Sequence, residues 1–450
     1  MAIAVVVILL VVGSVVFHLA SPWWFTPLAS NWGTIDATVD ITFWVTGIVF
    51  VLANLFMAWC IIKYRSKKGQ KANYEPENKK LEIWLTAITT VGVAAMLAPG
   101  LIVWGQFVNV PENAMVVEAV GQQWNWNYRY PGKDGELGEV DPKLIAPENP
   151  FGISPDDPNG QDDVLVFSQE MRLPLGEPVK LLMRSKDVLH NFAVPQFRVK
   201  MDIVPGMVTY QWFQTTRTGR YEILCEELCG VGHHVMRGVV IVDTPDEYQT
   251  WLNSQSTFAD TVAARNVDLD AGKMAYAPCA ACHGASGEGN KLLNAPKLAG
   301  LDDRYMKRQM DNYRSGVRGG DTADILGMQM RAMVSTLPTA RDVNNVIGYI
   351  NTLPITSSAA TISGDIERGK EIYQTCKACH GPNGEGIWVM GAPRQAKMDD
   401  WYILAQLKNF KSGLRGSHED DWYGGQMVQM AQMLSNDQEM NDLIAYINTL

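Results

Sequence analysis

The 450-residue sequence predicts a multidomain membrane protein in which transmembrane α-helices precede an all-β domain and two copies of an all-α module. Three observations predict this fold class. Long apolar runs lie near the N-terminus, short β-branched and aromatic runs follow them, and the C-terminal part repeats itself. The 38 basic and 48 acidic residues give a net charge of -10. This balance argues against a nucleic-acid partner, because phosphate backbones require basic stripes.

Three runs near the N-terminus are apolar and almost free of charge, at residues 2–20, 41–62 and 83–111. Each is long enough to cross the ~30 Å hydrocarbon layer, which needs about 20 residues. We therefore predict a hairpin of two transmembrane helices over residues 41–111. Residues 1–22 are either a cleaved leader or a further span. We favour the retained span, because the run lacks the basic segment of a secretory signal.

The charges between the apolar runs predict the orientation of the chain. Residues 63–80 contain seven Lys or Arg, whereas residues 21–40 contain none. The positive-inside rule places residues 63–80 in the cytoplasm. Everything after about residue 112 is then exported. We expect a multi-pass protein of a bacterial inner membrane, in contact with membrane lipid, with its later domains in the periplasm.

From residue 114 to about 244 the pattern changes to short runs of β-branched and aromatic residues, separated by Gly, Pro, Asp and Asn. This pattern is typical of an all-β sandwich or barrel, and we assign it to a domain over residues 112–250. Residues 131–163 are rich in Pro, Gly and Asp and have no sustained periodicity. We expect a long surface insertion there.

The all-β domain carries a cluster of sulfur and nitrogen ligands in the short segment Cys225–Met236. Two thiols four residues apart are followed by a histidine four residues later and a methionine three residues beyond that. Thiolates, imidazole and a thioether form a ligand set for copper, and a sulfur pair can bridge two metal ions. The alternatives are a structural disulfide, which leaves the histidines and the methionine unexplained, and a closed zinc site, which has no use for the methionine. The candidate ligands are His190, Cys225, Cys229, His233 and Met236.

The rest of the chain contains a tandem repeat with an offset of 97 residues, and each copy carries one C-x-x-C-H motif. The two thiols of this motif can form thioethers to the vinyl groups of one haem, and the histidine then becomes the proximal iron ligand. We predict two haem domains, at 262–353 and 366–450, joined by a linker at 354–365. The haem-binding residues are Cys279, Cys282 and His283 in the first copy and Cys376, Cys379 and His380 in the second.

The sixth ligand of each iron is expected to be a methionine on the loop before the last helix of each copy. Each copy offers two candidates, which are Met330 or Met333 and Met427 or Met430. Methionine with histidine raises the reduction potential and closes the iron to other ligands, as an electron carrier requires. We expect helices over 302–315, 340–352, 399–412 and 437–449.

Three segments of the all-β region, in this order, closely resemble subunit II of haem–copper cytochrome c oxidases. They are GQQWNWNYRYP (Gly121–Pro131), DVLHNFAVPQFRVKMDIVPG (Asp187–Gly206) and CEELCGVGHHVM (Cys225–Met236). The resemblance covers about residues 41–245 and implies a cupredoxin domain with a binuclear copper centre, CuA. By motif position its ligands would be His190, Cys225, Cys229, His233, Met236 and the backbone carbonyl of Glu227.

The same resemblance implies roles for three further groups. Trp124 would be the point at which electrons enter towards CuA. The carboxylate of Glu227 would help to hold Mg²⁺ or Mn²⁺ at the contact with subunit I. Glu82 lies in LEIW, which resembles the segment whose glutamate stands at the cytoplasmic mouth of a proton pathway. An ordinary interfacial charge is the alternative for Glu82.

The repeats resemble tandem di-haem cytochromes c, whose domains are all-α and belong to class I. In that family the methionine ligand stands seven residues before a leucine that opens the final helix. This spacing favours Met330 and Met427 as ligands and leaves Met333 and Met430 to line the haem crevice.

Together these features resemble the fused CuA and di-haem subunit II of a caa-type terminal oxidase. The resemblance implies that a quinol–cytochrome c reductase or a soluble cytochrome c donates electrons to the c haems. They then pass through CuA to subunit I, where O₂ is reduced to water and protons are pumped, and subunit III is a further expected partner. The O₂ site lies on another chain, because four of the seven histidines are already assigned as ligands. The alternatives are the equivalent subunit of a nitric oxide reductase and a haem-based sensor.

Overall fold

The computed structural model describes residues 2–21, 25–69, 71, 76–146, 149–263 and 266–450. Parts of four predicted segments lie outside the described residues. They are residues 1 and 22 of the N-terminal segment, 70 and 72–75 of the cytoplasmic loop, 147–148 of the insertion, and 264–265 of the first haem domain.

Three of the described helices are long and apolar enough to cross a membrane. They are α1 (Ala2–Ala20), α2 (Gly33–Lys63) and α3 (Lys79–Val108). At most 11% of the apolar window of any of them is buried inside the protein. Apolar side chains therefore face outward along the helices, which is stable in lipid and not in water. The three helices agree with the three predicted apolar runs.

Helix α2 begins at Gly33, well before the apolar run predicted from residue 41. Its first turn carries Asp36, a favourable charge at a helix N-terminus. Asp36 also accepts two hydrogen bonds from the Arg198 guanidinium, of 2.7 and 2.8 Å. The N-terminal part of α2 therefore lies outside the apolar run. A bidentate ion pair joins it to the all-β domain.

Within the described residues, ten strands form two five-stranded sheets, with orders β3-β2-β1-β5-β8 and β4-β10-β9-β6-β7. One buried apolar cluster takes side chains from both sheets, so the domain is the predicted all-β sandwich. The strands are β1 (Met115–Gln122), β2 (Asn125–Tyr130), β3 (Val164–Val166), β4 (Glu170–Pro174), β5 (Pro178–Ser185), β6 (His190–Val194), β7 (Val199–Ile203), β8 (Thr209–Gln214), β9 (Gly219–Leu224) and β10 (Arg237–Asp243).

The candidate copper ligands lie together because of the strand order. Strand β9 pairs with both β6 and β10, and the ligand loop 225–236 connects β9 to β10. His190 opens β6. The turn between β1 and β2 reaches the same end of the sandwich, where Trp124 donates a hydrogen bond to the Cys229 carbonyl. One end of the sandwich thus collects the ligand loop, the upstream histidine and the aromatic turn.

The insertion at 131–163 is more than a surface loop. It buries Phe151 and Ile153 in a small core of its own with side chains of the sandwich. It also covers the outer face of β2, where the Arg129 guanidinium donates to the Gly138 carbonyl at 2.9 Å and to Asp163 at 2.8 Å. Strand β2 is therefore buried on both faces, and all six of its residues are inaccessible to solvent.

The C-terminal part is helical, as predicted. Helices α4 (Pro245–Ser254) and α5 (Phe258–Ala263) lead from the sandwich to the first repeat. The first repeat contains α6 (Leu269–His283), α7 (Asp303–Ser315), α8 (Ile325–Val334) and α9 (Ala340–Asn351). The second contains α10 (Ile366–His380), α11 (Asp400–Ser412), α12 (Trp422–Gln432) and α13 (Asp437–Ile447).

The first and last helices of each repeat cross at a glycine. A Cβ on Gly272 would lie 2.1 Å from the Asn345 carbonyl oxygen, and a Cβ on Gly369 would lie 2.0 Å from the Asp442 carbonyl oxygen. These positions are equivalent under the 97-residue offset. Each repeat therefore requires glycine here, because its two helices approach backbone to backbone.

The two repeats pack against each other. The Arg415 guanidinium of the second repeat donates to the Tyr305 hydroxyl at 3.1 Å and to the Gln309 amide oxygen at 2.9 Å in the first. The Lys297 backbone N–H of the first repeat donates to the Asp399 carboxylate of the second at 2.8 Å. Buried polar contacts of this kind hold the two repeats in one arrangement.

Candidate metal centres

The predicted copper ligands converge around two sulfur atoms. The Sγ atoms of Cys225 and Cys229 lie 3.7 Å apart. The Nδ1 atom of His190 lies 4.0 Å from the Cys225 sulfur, and that of His233 lies 3.5 Å from the Cys229 sulfur. The Met236 thioether is 3.8 Å from the Cys229 sulfur. Each thiol thus has its own imidazole, and five soft or borderline donors face one small volume.

The two sulfurs are placed as free thiols and not as the alternative disulfide, whose sulfur atoms are about 2.05 Å apart. Both thiols are instead spaced so that one metal ion can contact both. The backbone carbonyl of Glu227 approaches the Cys225 sulfur at 3.3 Å and adds an oxygen donor on that side. A thioether within the donor set fits copper better than a closed Cys₂His₂ zinc site.

His190 is held in a fixed orientation by a carboxylate. Its Nε2 atom lies 2.8 Å from Asp187 Oδ1, and it points its Nδ1 towards the cysteines. Asp187 also accepts a hydrogen bond of 2.7 Å from the Gln123 backbone N–H. These two hydrogen bonds help to lower the pKa of Asp187. An ionised Asp187 fixes the tautomer of His190 and makes its Nδ1 a better ligand.

The two thiols influence each other's ionisation. The hydrogen bond with Cys229 lowers the pKa of Cys225 to about 3, and the His190 ring acts in the same direction. The same contact raises the pKa of Cys229, because the second proton leaves against the charge of the first thiolate. Since a metal binds thiolates, a site that already favours one thiolate is prepared for a cation.

Trp124 packs directly on the ligand loop. Its Nε1 donates to the Cys229 carbonyl at 3.1 Å, and the side chain of Gln123 donates to the same oxygen at 2.7 Å. The indole lies against the backbone of Gly230 and Gly232. Trp124 therefore touches the peptide that carries a candidate copper ligand.

The neighbouring aromatic residues of β2 have a structural role. Trp126, Tyr128 and Tyr130 are fully buried in the sandwich. Trp126 also packs edge-on against the His190 ring, with 6.3 Å between ring centroids. They therefore support the candidate copper ligands by packing.

Both C-x-x-C-H motifs lie at the C-terminal end of the first helix of their repeat. The Nδ1 atoms of His283 and His380 lie 2.7 and 2.8 Å from the carbonyl oxygens of Pro296 and Pro393. A carbonyl only accepts, so each Nδ1 carries the proton and each Nε2 is left as the ligand atom. Burial lowers the pKa of both histidines, which keeps the rings neutral as iron ligation requires.

The candidate methionine ligands lie on helices α8 and α12, whereas the sequence predicted a loop. Met330 and Met333 are three residues apart on α8 and therefore share one face of it, as do Met427 and Met430 on α12. Met427 packs against the core of the second repeat. The helices thus present both candidates of each pair in the same direction, and the choice between them stays open.

Buried guanidinium groups lie at the contact between the two repeats. Among the described residues, Arg308, Arg318 and Arg415 each have a buried Nε without a hydrogen-bond partner. They lie between aromatic rings and amides at the contact of the two repeats. A buried cation with an unused donor requires an anion, and the propionates of haem fit this need. The oriented histidines of both motifs fit haem ligation, and the arginines offer unused donors to acidic groups.

Of the remaining predicted residues, Glu82 lies far from these centres. Glu82 is in the first turn of α3, whereas the other end of this helix contacts the sandwich through Val108. At 1.5 Å per residue this separation is roughly 40 Å. The Glu227 side chain is half-buried and the His234 side chain is exposed.

Two groups of functional residues were missed by sequence reasoning. Asp187 is the first residue of the segment Asp187–Gly206. Its position three residues before His190 was the only indication in the sequence that it contacts this ligand. The buried arginines could have been found from the repeat, because Arg318 and Arg415 are equivalent under the 97-residue offset. So are the glutamines that accept their hydrogen bonds, Gln309 and Gln406.

Comparison with known proteins decides the family. An alternative cytochrome c oxidase subunit 2 from Bradyrhizobium diazoefficiens is 58% identical over 259 residues, which are 58% of this chain and 94% of that protein. The chain belongs to the cytochrome c oxidase subunit 2 family. A probable cytochrome c oxidase subunit 2 from Rickettsia bellii is 30% identical over 214 residues, which are 48% of this chain and 76% of that protein.

The family models match the same three domains that the fold shows, namely the sandwich and the two helical repeats. The periplasmic domain of cytochrome c oxidase subunit II matches residues 115–243, and cytochrome c matches residues 269–354 and 366–450. Among solved structures, the periplasmic domain of subunit II of cytochrome oxidase (CoxB) of Bradyrhizobium japonicum is 29% identical. It covers 32% of this chain and 96% of its own, with a TM-score of 0.24.

These matches confirm the predicted fold class and enzyme class. This subunit 2 is part of a cytochrome c oxidase and has an electron-input role. The cytochrome c matches imply haem c in the repeats, and the subunit II match implies copper in the sandwich. The apolar helices and the periplasmic-domain match also support a membrane-anchored protein with a periplasmic sandwich.

Proposed function

We propose that this chain is the electron-input subunit of a caa-type terminal oxidase, with a binuclear copper centre and two covalent c haems on one polypeptide. The observation that carries the proposal is the sulfur pair of Cys225 and Cys229. Their Sγ atoms are 3.7 Å apart, and each lies beside a different histidine. When bound, the copper pair and the haems supply one-electron redox chemistry without bond breaking.

The protein holds the copper ligands in a dry and rigid environment. His190, Cys229 and Met236 are at most 2% exposed. Asp187 fixes the His190 ring, and Trp124 fixes the peptide of Cys229. Such ligands neither move nor take up water when the charge of the site changes. The reorganisation energy of electron transfer is therefore small. We assign to Trp124 the path by which electrons reach this site.

In the repeats, we assign the axial positions to His283 with Met330 and to His380 with Met427. The histidines are oriented by the proline carbonyls, and the methionines lie on the helix before the last one. Histidine with methionine leaves no open position on the iron, which suits electron transfer and not gas binding. The thioether residues are Cys279 and Cys282 in the first repeat and Cys376 and Cys379 in the second.

The chemistry on O₂ belongs to subunit I, to which this chain would pass electrons and where proton pumping is expected. The carboxylate of Glu227 is assigned to a Mg²⁺ or Mn²⁺ at that contact. Glu82 is assigned to the mouth of a proton pathway, since it lies at the end of α3 beside the basic loop. We place this chain in a bacterial inner membrane, with subunit III as a further partner and a quinol–cytochrome c reductase or soluble cytochrome c as donor.

Replacing Cys229 by serine tests the assignment. We expect C229S to lose copper, because a hydroxyl is a poor ligand for it, while both c haems stay attached and reducible by donor. Metal analysis, haem spectra and oxygen uptake of the purified oxidase measure these three quantities. Electron delivery to subunit I and oxygen uptake should stop.

Cys60 provides the matched control, because it is a thiol in the membrane helix α2 and away from both types of centre. C60S should keep its copper and its oxygen uptake. Normal turnover in C229S would contradict the assigned path. A full copper content in C229S would contradict the ligand assignment.

A further inference from the structure

The second repeat lies against the copper end of the sandwich. The side chain of Gln426 donates to the Trp124 carbonyl at 3.1 Å and to the Val235 carbonyl at 3.4 Å. Cys379 and Met390 pack against the apolar core that contains Trp124. The haem-binding thiol of the second repeat and the residue assigned to electron transfer thus belong to one packed region.

This contact leaves little of the Trp124 surface accessible to another protein. The residue is 5% exposed, and its backbone carbonyl is already used by Gln426. The loop beside it is also contacted, because Gln426 reaches Val235 at the end of the ligand segment. A separate donor protein cannot reach Trp124 by the face that the second repeat occupies.

The first repeat carries the same surface without a cover. Under the 97-residue offset, Gln329 is equivalent to Gln426, and it is exposed. Leu326 is equivalent to Tyr423, whose hydroxyl lies 3.5 Å from the Phe167 carbonyl of the sandwich. We call this surface of the first repeat the open face. Its residues are Leu292, Leu293, Ile325, Leu326, Met328 and Gln329, all of them exposed.

The open face is unusually apolar for a surface exposed to water. Leu292 is 93% exposed, Ile325 is 66% exposed and Met328 is 45% exposed. Ile325 and Met328 lie on α8, the helix that also carries Met330. Exposed apolar side chains gathered in two short segments mark an interaction site, and one of these segments lies on the helix of the predicted iron ligand.

We propose that the open face is the docking surface for a separate electron-donor protein, whose own metal lies beneath an apolar patch. This inference rests on the proposed function. The second repeat shows what the surface fits, since its equivalent surface is already filled by a metal-binding domain of the same chain. One electron then leaves the donor's metal and enters at the first repeat, and the second repeat passes it to the copper side. No proton moves and no bond changes.

The test uses the purified oxidase and a reduced soluble monohaem cytochrome c as the probe. Leu326→Glu and Met328→Glu place a charge in the open face. We expect the bimolecular rate of haem reduction in stopped flow to fall about tenfold or more, because a buried charge without a partner weakens an apolar contact. Affinity for the oxidised probe, measured where no electron moves, should weaken in parallel.

Two controls separate the parts of the proposal. Met274 is 73% exposed on α6, outside the open face, so Met274→Glu should leave the bimolecular rate unchanged. Gln426→Ala should leave the bimolecular rate unchanged and slow the later reduction of copper. Ascorbate with a small mediator should reduce both haems and the copper in Leu326→Glu. Failure of that reduction would count against the proposed function and not against the docking surface.

Several outcomes would overturn the docking proposal. One is that Leu326→Glu and Met328→Glu act no more strongly than Met274→Glu. Another is that the probe does not reduce the wild-type oxidase. A change of oligomeric state in Leu326→Glu would assign the open face to a second copy of the chain. Lost binding to anionic lipid vesicles in that variant would assign it to the bilayer.

Discussion

We expect Gly232→Ala to displace the Trp124 indole and to destabilise the copper loop. A Cβ at residue 232 would lie 2.3 Å from Cδ2 and 2.4 Å from Cε3 of the indole. Carbon atoms pack at about 3.5–4.0 Å, so the ring must move by more than about 1 Å. The backbone itself accepts alanine, because Gly232 has φ of -92° and ψ of 15°. Any effect therefore comes from the contact with Trp124.

The size of the effect follows from two contributions. Overpacking a filled site typically costs about 1–3 kcal/mol. The displaced indole also loses its hydrogen bond to the Cys229 carbonyl, which contributes roughly 1 kcal/mol. We expect the free energy of unfolding of the copper site to fall by about 2–4 kcal/mol. Guanidinium unfolding of the intact subunit, followed through the absorbance of the copper pair, measures this change.

A double-mutant cycle with Trp124→Leu isolates the contact. Leucine leaves room beside residue 232, so Gly232→Ala should cost less than about 1 kcal/mol in that background. If Gly232→Ala costs the same with leucine as with tryptophan at position 124, the clash argument is wrong. Both haems should stay attached in all four proteins, because neither substitution lies in a C-x-x-C-H motif.

Two further predictions concern the support of each type of centre. Asp187→Asn should weaken copper binding about 10–100-fold in competition with a copper chelator, because the ionised partner of His190 is lost while the shape is kept; unchanged affinity would remove Asp187 from the site. Gly369→Ala should loosen only the second repeat by about 1–3 kcal/mol and Gly272→Ala only the first, since each Cβ would meet a carbonyl of the last helix. Limited proteolysis with mass spectrometry identifies the repeat that opens, and cleavage of the other repeat would contradict the equivalence.

The features predicted well from the sequence are those encoded within short stretches of chain. The copper loop Cys225–Met236 places four donors within twelve residues, so spacing alone indicates their chemistry. The apolar runs and the repeat are equally local. The helices of the repeats begin and end within about two residues of the expected positions, because Asp302, Thr339 and Asn436 provide recognisable N-terminal caps.

The features that were missed depend on contacts between distant segments. The hydrogen bond between Gln426 and the Trp124 carbonyl joins residues 302 positions apart, and neither residue type suggests it. The insertion was predicted to be a surface loop because its sequence has no periodicity. In the structure Phe151 and Ile153 are buried against side chains of the sandwich. Similarly, α2 extends beyond its apolar run because Arg198 of the sandwich pairs with Asp36. In each case the decisive partner is far away in the sequence.

Among the described residues, side chains of the sandwich bind the membrane helices at three positions. Arg198 binds Asp36 of α2, the Trp212 indole donates to the Gln106 carbonyl of α3, and the Tyr210 hydroxyl donates to the Val108 carbonyl. Three separate attachments prevent the sandwich from pivoting on a single stalk. We therefore expect the candidate copper site to keep a fixed position relative to the membrane helices. Because the sandwich cannot move far from the membrane helices, the donor protein must diffuse to it in order to deliver an electron.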